Sequence, residues 1–169
     1  IEAQRNLKFP FYWPLAIPDN YSLDGIYLYQ GVAQKWAEGP LVEMEFTLSL
    51  PGVAPHGTGK ITICEFMPKG KVLQMVQLGS SQQLQIDNGN AAVYVNGQWE
   101  QVNNAPGWVY GEAGELIYER DGVIFWIAGD QRDGITKDTL VGLAHSFKSY
   151  GTEQMMQIMK HAGIVAESG

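Results

Sequence analysis

The run Val-Ile-Phe-Trp-Ile-Ala at residues 123–128 restricts the fold most, because it places six apolar side chains in succession. Successive side chains of a strand point to opposite faces, so this strand is apolar on both sides. We therefore expect Phe125 and Trp126 to be buried on opposite faces of a sheet. A helix predicted just after the strand can cover one face. A second layer, the N-terminal segment or a ligand must cover the other.

The sequence changes to a helical period after this strand. Behind Thr136, which is a suitable N-cap, an apolar stripe recurs at helical spacing: Leu140, Leu143, Ala144 and Phe147. Gly151 is suited to end this helix, and apolar side chains at helical spacing recur beyond it. We predict two short helices near the C-terminus.

The middle of the chain has the period of two that strands require. Residues 41–50 alternate apolar side chains, such as Met44 and Phe46, with polar ones, such as Glu43 and Glu45. This alternation predicts a strand with one face in solvent.

Short turn sequences separate the other β-prone segments. They predict hairpins at residues 67–70, 87–90, 96–97 and 120–122. The first of these hairpins would join strands at residues 60–66 and 71–78. Because neighbours in sequence then pair, we expect a mainly antiparallel sheet.

Length and composition favour one compact domain. The chain has 169 residues, of which 45% are hydrophobic and 17% charged. We predict a single domain over residues 1–169, with a proline- and aromatic-rich segment at 1–20, a sheet at 21–128 and two short helices within 136–163. The predicted fold class is α+β: a curved, mainly antiparallel β-sheet, built as a meander of hairpins, with the C-terminal helices packed on one face.

Charge and cysteine content exclude some classes of protein. The net charge of −7 disfavours nucleic acid as a partner. The sequence has no apolar run long enough for a spanning helix. It begins with Ile1 rather than Met, and we expect that an N-terminal leader, a membrane anchor or a larger upstream region has been removed. The single cysteine, Cys64, lies in a β-prone run and is predicted to be a small buried hydrophobic residue.

Catalytic and metal-binding patterns are missing from the sequence. The histidines, His56, His145 and His161, do not have the spacing of zinc ligands, and we expect surface or half-buried roles for them. The glycine-rich residues 55–60 precede a strand, whereas a phosphate loop precedes a helix. We therefore predict that the protein is not an enzyme and has no catalytic residues, no metal site and no cofactor.

Aromatic and methionine side chains are the remaining candidates for a site. Tryptophan builds both stacking platforms for sugars and apolar cavities, and methionine lines adaptable apolar sites. The same residues serve equally well as the core of a sheet. The candidate ligand-binding residues are Trp13, Trp36, Trp126, Met155 and Met159.

Several segments resemble a bacterial family of extracytoplasmic domains catalogued as domain of unknown function 4367. The likeness covers roughly residues 8–148. It rests on the proline-punctuated start that ends at Pro18–Tyr21, on the Gly-x-Ala step at residues 89–91, and on the closing hairpin and helix that end at Phe147. The sequence departs from the family at Asn20, where glycine is usual.

The resemblance implies a domain outside the cytoplasmic membrane, carried by anti-sigma-factor-like or lipoprotein-like chains. It also implies a likeness in shape to periplasmic lipoprotein carriers, in which a curved antiparallel sheet wraps helices and an apolar cavity. The family offers no catalytic residues.

These observations give three functional hypotheses. The first is a non-enzymatic, exported or membrane-anchored binding or sensory domain, whose partner is an unknown protein or an apolar small molecule. The second is a carrier of a lipid or lipoprotein in an apolar cavity. The third is a carbohydrate-binding module.

Overall fold

The computed structural model describes residues 7–29, 36–71, 74–161 and 167–168. The strands and helices in these ranges are β1 (Phe11–Pro14), β2 (Tyr21–Tyr29), β3 (Leu41–Leu48), β4 (Lys60–Phe66), β5 (Ser81–Ile86), β6 (Asn90–Val102), β7 (Ala105–Arg120), β8 (Val123–Asp130), α1 (Lys137–Ser146), β9 (Phe147–Tyr150), α2 (Thr152–His161) and β10 (Glu167–Ser168). A 3₁₀ turn at Gln131–Asp133 separates β8 from α1.

The main sheet has the strand order β10-β2-β3-β4-β8-β7-β6-β5. Across the sheet, from β2 at one side to β5 at the opposite edge, every neighbouring pair of strands is antiparallel. Strand β10 lies parallel to β2. Strands β1 and β9 form a separate antiparallel ribbon. The prediction of an α+β fold dominated by an antiparallel sheet is confirmed.

One side of the sheet, which we call the core face, carries Phe125 and Ile127 of β8. Leu140, Leu143 and Ala144 of α1 belong to the same buried cluster. The β1–β9 ribbon also contributes: the ring of Tyr12 meets Phe125 edge-to-face at 4.9 Å, and the ring of Phe147 stacks on it at 4.5 Å. The N-terminal segment and the helix that follows β8 therefore both cover this face.

The other side of the sheet, which we call the groove face, carries Trp126. Phe125 is fully buried, but Trp126 is only half-buried. The expectation that both side chains are buried is therefore wrong for Trp126, because Phe9, Phe11 and Tyr12 of the N-terminal segment pack with the helix on the core face.

Two predicted reversals are confirmed. Asp121 and Gly122 both have positive φ, at 52° and 77°, and they join the paired residues Arg120 and Val123. This conformation is the two-residue turn that suits the twist of a hairpin. The turn at residues 87–90 joins β5 to β6.

The predicted turn at Asn96-Gly97 is wrong. Strand β6 continues through these residues, with a register shift between Asn96 and Gln98, and Gly97 has φ 102°. The reversal lies instead at Asn103-Asn104, whose φ values are 52° and 63°. Asparagine tolerates the left-handed region, so both dipeptides were competent to form the turn. The glycine serves a bulge instead.

The predicted hairpin at residues 67–70 is also wrong. Strand β4 pairs with β3 on one side and with β8 on the other, where Cys64 lies opposite Trp126. Both edges of β4 are thus taken, and residues 71 and 74–78 form no strand.

Two short helices form near the C-terminus, as predicted, but the first ends at Ser146 and not at Gly151. Thr136 caps α1 through a hydrogen bond from the Thr139 N–H, and Thr152 begins α2. Helix α1 ends at Ser146, so Phe147 belongs to β9 rather than to the apolar stripe of the helix. Neither helix has the length and apolarity needed to cross a bilayer.

Candidate ligand-binding groove

The groove face contains a cavity of about 620 Å³, which we call the sheet groove. Its floor consists of apolar side chains of β6, β7 and β8: Val93, Val95, Ile117, Ile124 and Trp126. Its roof is the segment between β4 and β5, which contributes Pro68, Gly70, Lys71, Gln74 and Val76. Ser81, Gln83 and Glu119 complete the wall.

Strand register explains why the floor is continuous. Trp126 lies opposite Ile117, Ile117 lies opposite Val93, and Val93 lies opposite Gln83 at the edge of the sheet. Residues directly opposite each other in antiparallel strands project from the same face. The four side chains therefore form one row across β8, β7, β6 and β5, which is apolar up to its last member.

Polar contacts attach the roof to the sheet. The indole Nε1–H of Trp99 donates to the Met75 carbonyl at 2.9 Å, and the Gln74 side chain donates to the Glu115 carboxylate at 2.8 Å. Among the described residues of this segment, two large apolar side chains point into solvent rather than into the groove: Met75 is 85% exposed and Leu78 is 94% exposed. Hydrogen bonds thus attach the described part of the roof to the sheet, and a cavity lies between it and the apolar floor.

Size and lining suit a small molecule. Ligand cavities usually measure about 300–1,000 Å³ and combine apolar walls with a few polar groups. In the sheet groove those polar groups are Lys71, Gln83 and Glu119, which are all exposed at the rim. Within the described residues, no cluster of His, Cys, Asp and Glu could hold a metal ion.

The predicted site residues do not come together. Trp126 lies in the floor of the groove. Trp36 packs edge-to-face on Phe66 at 4.4 Å, in the buried cluster that Trp126 borders, but it does not line the groove. Trp13 and Met155 belong to the core-face cluster on the opposite side of the sheet. The Met159 side chain lies outside the described residues.

Trp13 lines a separate depression of about 590 Å³, together with Tyr150, Ile158 and His161. This depression is more open to solvent than the sheet groove. It lies between the β1–β9 ribbon and α2, so a ligand there would not touch Trp126.

The residues that sequence reasoning missed are Val93, Val95 and Ile117. Each stands in a segment recognised as a strand, with apolar side chains on both faces. The apolar side chains on both faces of these strands can be seen in the sequence. The strand register that places these residues beside Trp126 cannot.

Cys64 neighbours Trp126 on the groove face and has the chemistry of a buried thiol. Burial, together with the nearby Glu43 carboxylate, raises the pKa of this thiol to about 12. Its Sγ lies 3.6 Å from the Glu43 carboxylate, which also accepts a hydrogen bond from the Tyr29 hydroxyl at 3.0 Å. A thiol in this state is not a nucleophile at neutral pH. Glu43 and Glu45 are half-buried, so the predicted polar face of β3 lies partly in solvent.

The glycine-rich loop at residues 55–60 binds carboxylates of the protein itself. The N–H groups of Gly57 and Gly59 each donate to Asp133 at 2.8 Å, and the N–H of Thr58 donates to Asp130 at 2.9 Å. These amides are therefore occupied, which agrees with the absence of a phosphate-loop pattern in the sequence.

His145 is exposed, as predicted, but it is paired. Its Nδ1 contacts the Asp87 carboxylate, which also accepts a hydrogen bond from the Tyr118 hydroxyl at 2.8 Å. Burial raises the pKa of Asp87, but the hydrogen bonds from His145 and Tyr118 outweigh it and the net pKa is lowered. The pair links the β5–β6 turn to α1.

Comparison of the chain with protein-family models, with curated proteins and with solved structures found no match. The likeness to domain of unknown function 4367 therefore stays a prediction.

Proposed function

We propose that this protein is a non-enzymatic binding domain that holds an apolar or amphipathic small molecule in the sheet groove. The observation that carries the proposal is the open apolar row of Trp126, Ile117 and Val93 under a roof attached by hydrogen bonds. Protein interiors are normally close-packed, so an apolar floor of this size that the described side chains leave uncovered favours an external occupant.

The rim suggests how such a ligand is oriented. Its apolar body lies on the floor, and a polar end reaches Lys71, Gln83 or Glu119 at the mouth. A rim that contains both a cation and an anion suits a polar or zwitterionic end better than a strongly charged one. Binding would add contacts to the roof, and the resulting change in its conformational ensemble is a signal that a partner protein can read.

The cellular setting is a further part of the proposal. The resemblance to extracytoplasmic domains supports an exported or membrane-anchored chain. We also propose that the sheet is curved and that both helices pack on its core face. The register shifts in β2 between Leu23 and Gly25 and in β6 between Asn96 and Gln98 support it, because bulges bend and twist strands.

The test uses an anionic naphthalene dye whose fluorescence rises in apolar sites. Ile117→Trp fills the floor of the groove, and we expect it to weaken dye binding about tenfold or more. Ile158→Trp is the matched control, because it fills the separate depression beside Trp13. If neither variant changes dye binding, or only the control does, the sheet groove is not the site.

Native mass spectrometry of protein purified from cells, followed by organic extraction, identifies the ligand class. A co-purifying small molecule that Ile117→Trp excludes supports the proposal. A long acyl lipid would assign the protein to the carriers. Binding on a glycan array without binding of the dye would favour the carbohydrate-binding alternative.

A further inference from the structure

The two edges of the main sheet differ. At one edge, Glu167 and Ser168 of β10 pair with β2. At the other edge, β5 pairs with β6 on its inner side, and no described strand pairs with its outer side. Ser81, Gln82, Gln83 and Gln85 are exposed.

The alternation of the ladder identifies the backbone groups that face outward. The N–H of Asn96 donates to the Ser80 carbonyl at 2.9 Å across the β5–β6 register, so residues 80 and 96 form a hydrogen-bonded pair. Hydrogen-bonded and non-hydrogen-bonded pairs alternate along an antiparallel ladder. The N–H and C=O groups of Ser81, Gln83 and Gln85 therefore point away from β6.

This edge lacks the usual protection against strand pairing. Natural edge strands carry charges, prolines or bulges that block a second strand. Strand β5 has the sequence Ser-Gln-Gln-Leu-Gln-Ile, with no charge and no proline, and its register with β6 is unbroken. Despite the net charge of −7 on the chain, two copies of β5 meet without like-charge repulsion between their own side chains.

We propose that β5 pairs antiparallel with β5 of a second copy of this chain, about a two-fold axis at Gln83. In this register Gln83 lies opposite Gln83 of the second copy, and Ser81 lies opposite Gln85. Every outward backbone group of β5 then has a partner, and the facing amide side chains of Gln83 hydrogen-bond to each other. A shift of the axis toward either end leaves some of these groups unpaired.

The dimer brings the two sheet grooves together. The side chains of Ser81 and Gln83 line the groove, in the row that continues through Val93 to Ile117 and Trp126. Opposed residues share a face, so the row of one copy continues into that of the second across the paired Gln83 side chains. The proposed pairing does not require a ligand in the groove, and the experiments that test it are separate from those that test ligand binding.

Disulfide trapping tests the register. A hydrogen-bonded antiparallel pair has a Cα separation of about 5.5 Å, which a disulfide spans. We expect Gln83→Cys to form a covalent dimer under mild oxidation. Gln82→Cys is the matched control and should stay monomeric, because its register partner is Leu84. The parent protein, oxidised in the same way, shows whether the half-buried Cys64 forms a covalent dimer by itself.

Sedimentation equilibrium tests the interface without a cross-link. We expect the parent to self-associate below about 1 mM, and Gln83→Pro and Gln83→Lys to weaken association about tenfold or more. The proline removes an N–H that points away from β6, so the internal ladder remains. Gln83→Lys keeps this backbone N–H and instead opposes pairing by placing a lysine of each copy opposite the other. A parent that is monomeric up to about 1 mM, equal association of parent and variants, or equal cross-linking at positions 82 and 83 would each overturn the proposal.

Discussion

The backbone N–H of Tyr12 donates to Oε1 of Glu65 at 3.0 Å, although the two residues lie 53 positions apart. Tyr12 belongs to the β1–β9 ribbon and Glu65 to the main sheet, so this bond joins the two layers on the core face. Glu65 is fully buried, and its second oxygen, Oε2, has no hydrogen-bond partner among the described residues. A buried carboxylate without a cation is costly, and the neutral acid is favoured.

The first prediction concerns the pH dependence of this contact. Burial raises the pKa of Glu65 well above its ordinary value, and the hydrogen bond from Tyr12 lowers it by less. Because the folded-state pKa is raised, the stabilising contribution of Glu65 is fully present below the ordinary carboxyl pKa and is lost as pH rises through the folded-state value. Glu65→Gln keeps an acceptor for Tyr12 and does not ionise. The free energy of unfolding of the parent, relative to Glu65→Gln, should fall as pH rises.

Urea denaturation of both proteins from about pH 5 to about pH 9 measures this difference. Groups that titrate in both proteins cancel in the comparison. A difference that stays constant with pH, or that grows in favour of the parent at alkaline pH, contradicts the prediction. Glu65→Ala removes the bond as well, and we expect it to cost about 1–3 kcal/mol more than Glu65→Gln.

The second prediction compares the two faces of β8. Phe125 is fully buried on the core face between the rings of Tyr12 and Phe147, so Phe125→Ala should cost about 3–5 kcal/mol as a cavity opens. Trp126 is half-buried on the floor of the groove, and Trp126→Ala should cost less than half as much. Chemical denaturation of the two variants tests the contrast. Equal losses would mean that the groove face is as closely packed as the core face.

The third prediction concerns the bulge that replaced an expected turn. Gly97 and Gly111 both have positive φ, at 102° and 79°, so alanine at either position is strained by about 1 kcal/mol. A Cβ at Gly111 would meet no atom within 4 Å, whereas one at Gly97 would overlap both the indole of Trp108 and the backbone carbonyl of Val109. Gly97→Ala should therefore lower thermal stability distinctly more than Gly111→Ala. If the two variants melt together, the indole and the β7 backbone at Val109 both move away without cost.

Local chemistry allowed part of this fold to be predicted. The turn at Asp121-Gly122 and the cap at Thr136 depend on backbone preferences of the residues themselves, and both formed as expected. The choice between Asn96-Gly97 and Asn103-Asn104 did not follow from such preferences, because both dipeptides tolerate positive φ. The longer strands β6 and β7 decided it, through pairing that no short segment contains.

The candidate site was less predictable than the fold for the same reason. The residue type of Trp126 and its place in an apolar strand make it a candidate from the sequence alone. The positions of Ile117 and Val93 beside it depend on the register of three strands. Trp13 and Met155 have the same apolar chemistry and lie on the opposite face. Residue type predicts that a side chain is buried or binds a ligand, but only topology determines which side of the sheet it occupies.

The last prediction concerns the loop that wraps the end of β8. The Asp130 carboxylate accepts hydrogen bonds from the Thr58 N–H and from the backbone and guanidinium of Arg132. The hydrogen bonds from Arg132 lower the pKa of Asp130 to about 2, against a smaller opposing effect of burial. Because this pKa is depressed, the stabilising contribution is present above the ordinary aspartate value and is lost as pH falls through about 2. Asp130→Asn turns an amide toward these donors and should cost about 2–3 kcal/mol at neutral pH.

The acid side of the titration makes this prediction specific. As pH falls toward the pKa of Asp130, the parent loses the same contribution that the variant lacks, so the two free energies of unfolding should converge. Asp138→Asn is the matched control, because Asp138 is exposed in the first turn of α1, and it should cost less than about 1 kcal/mol. Urea denaturation from about pH 7 down to about pH 3 measures both variants. A loss for Asp130→Asn that does not shrink in acid would mean that shape, rather than charge, holds the glycine loop against β8.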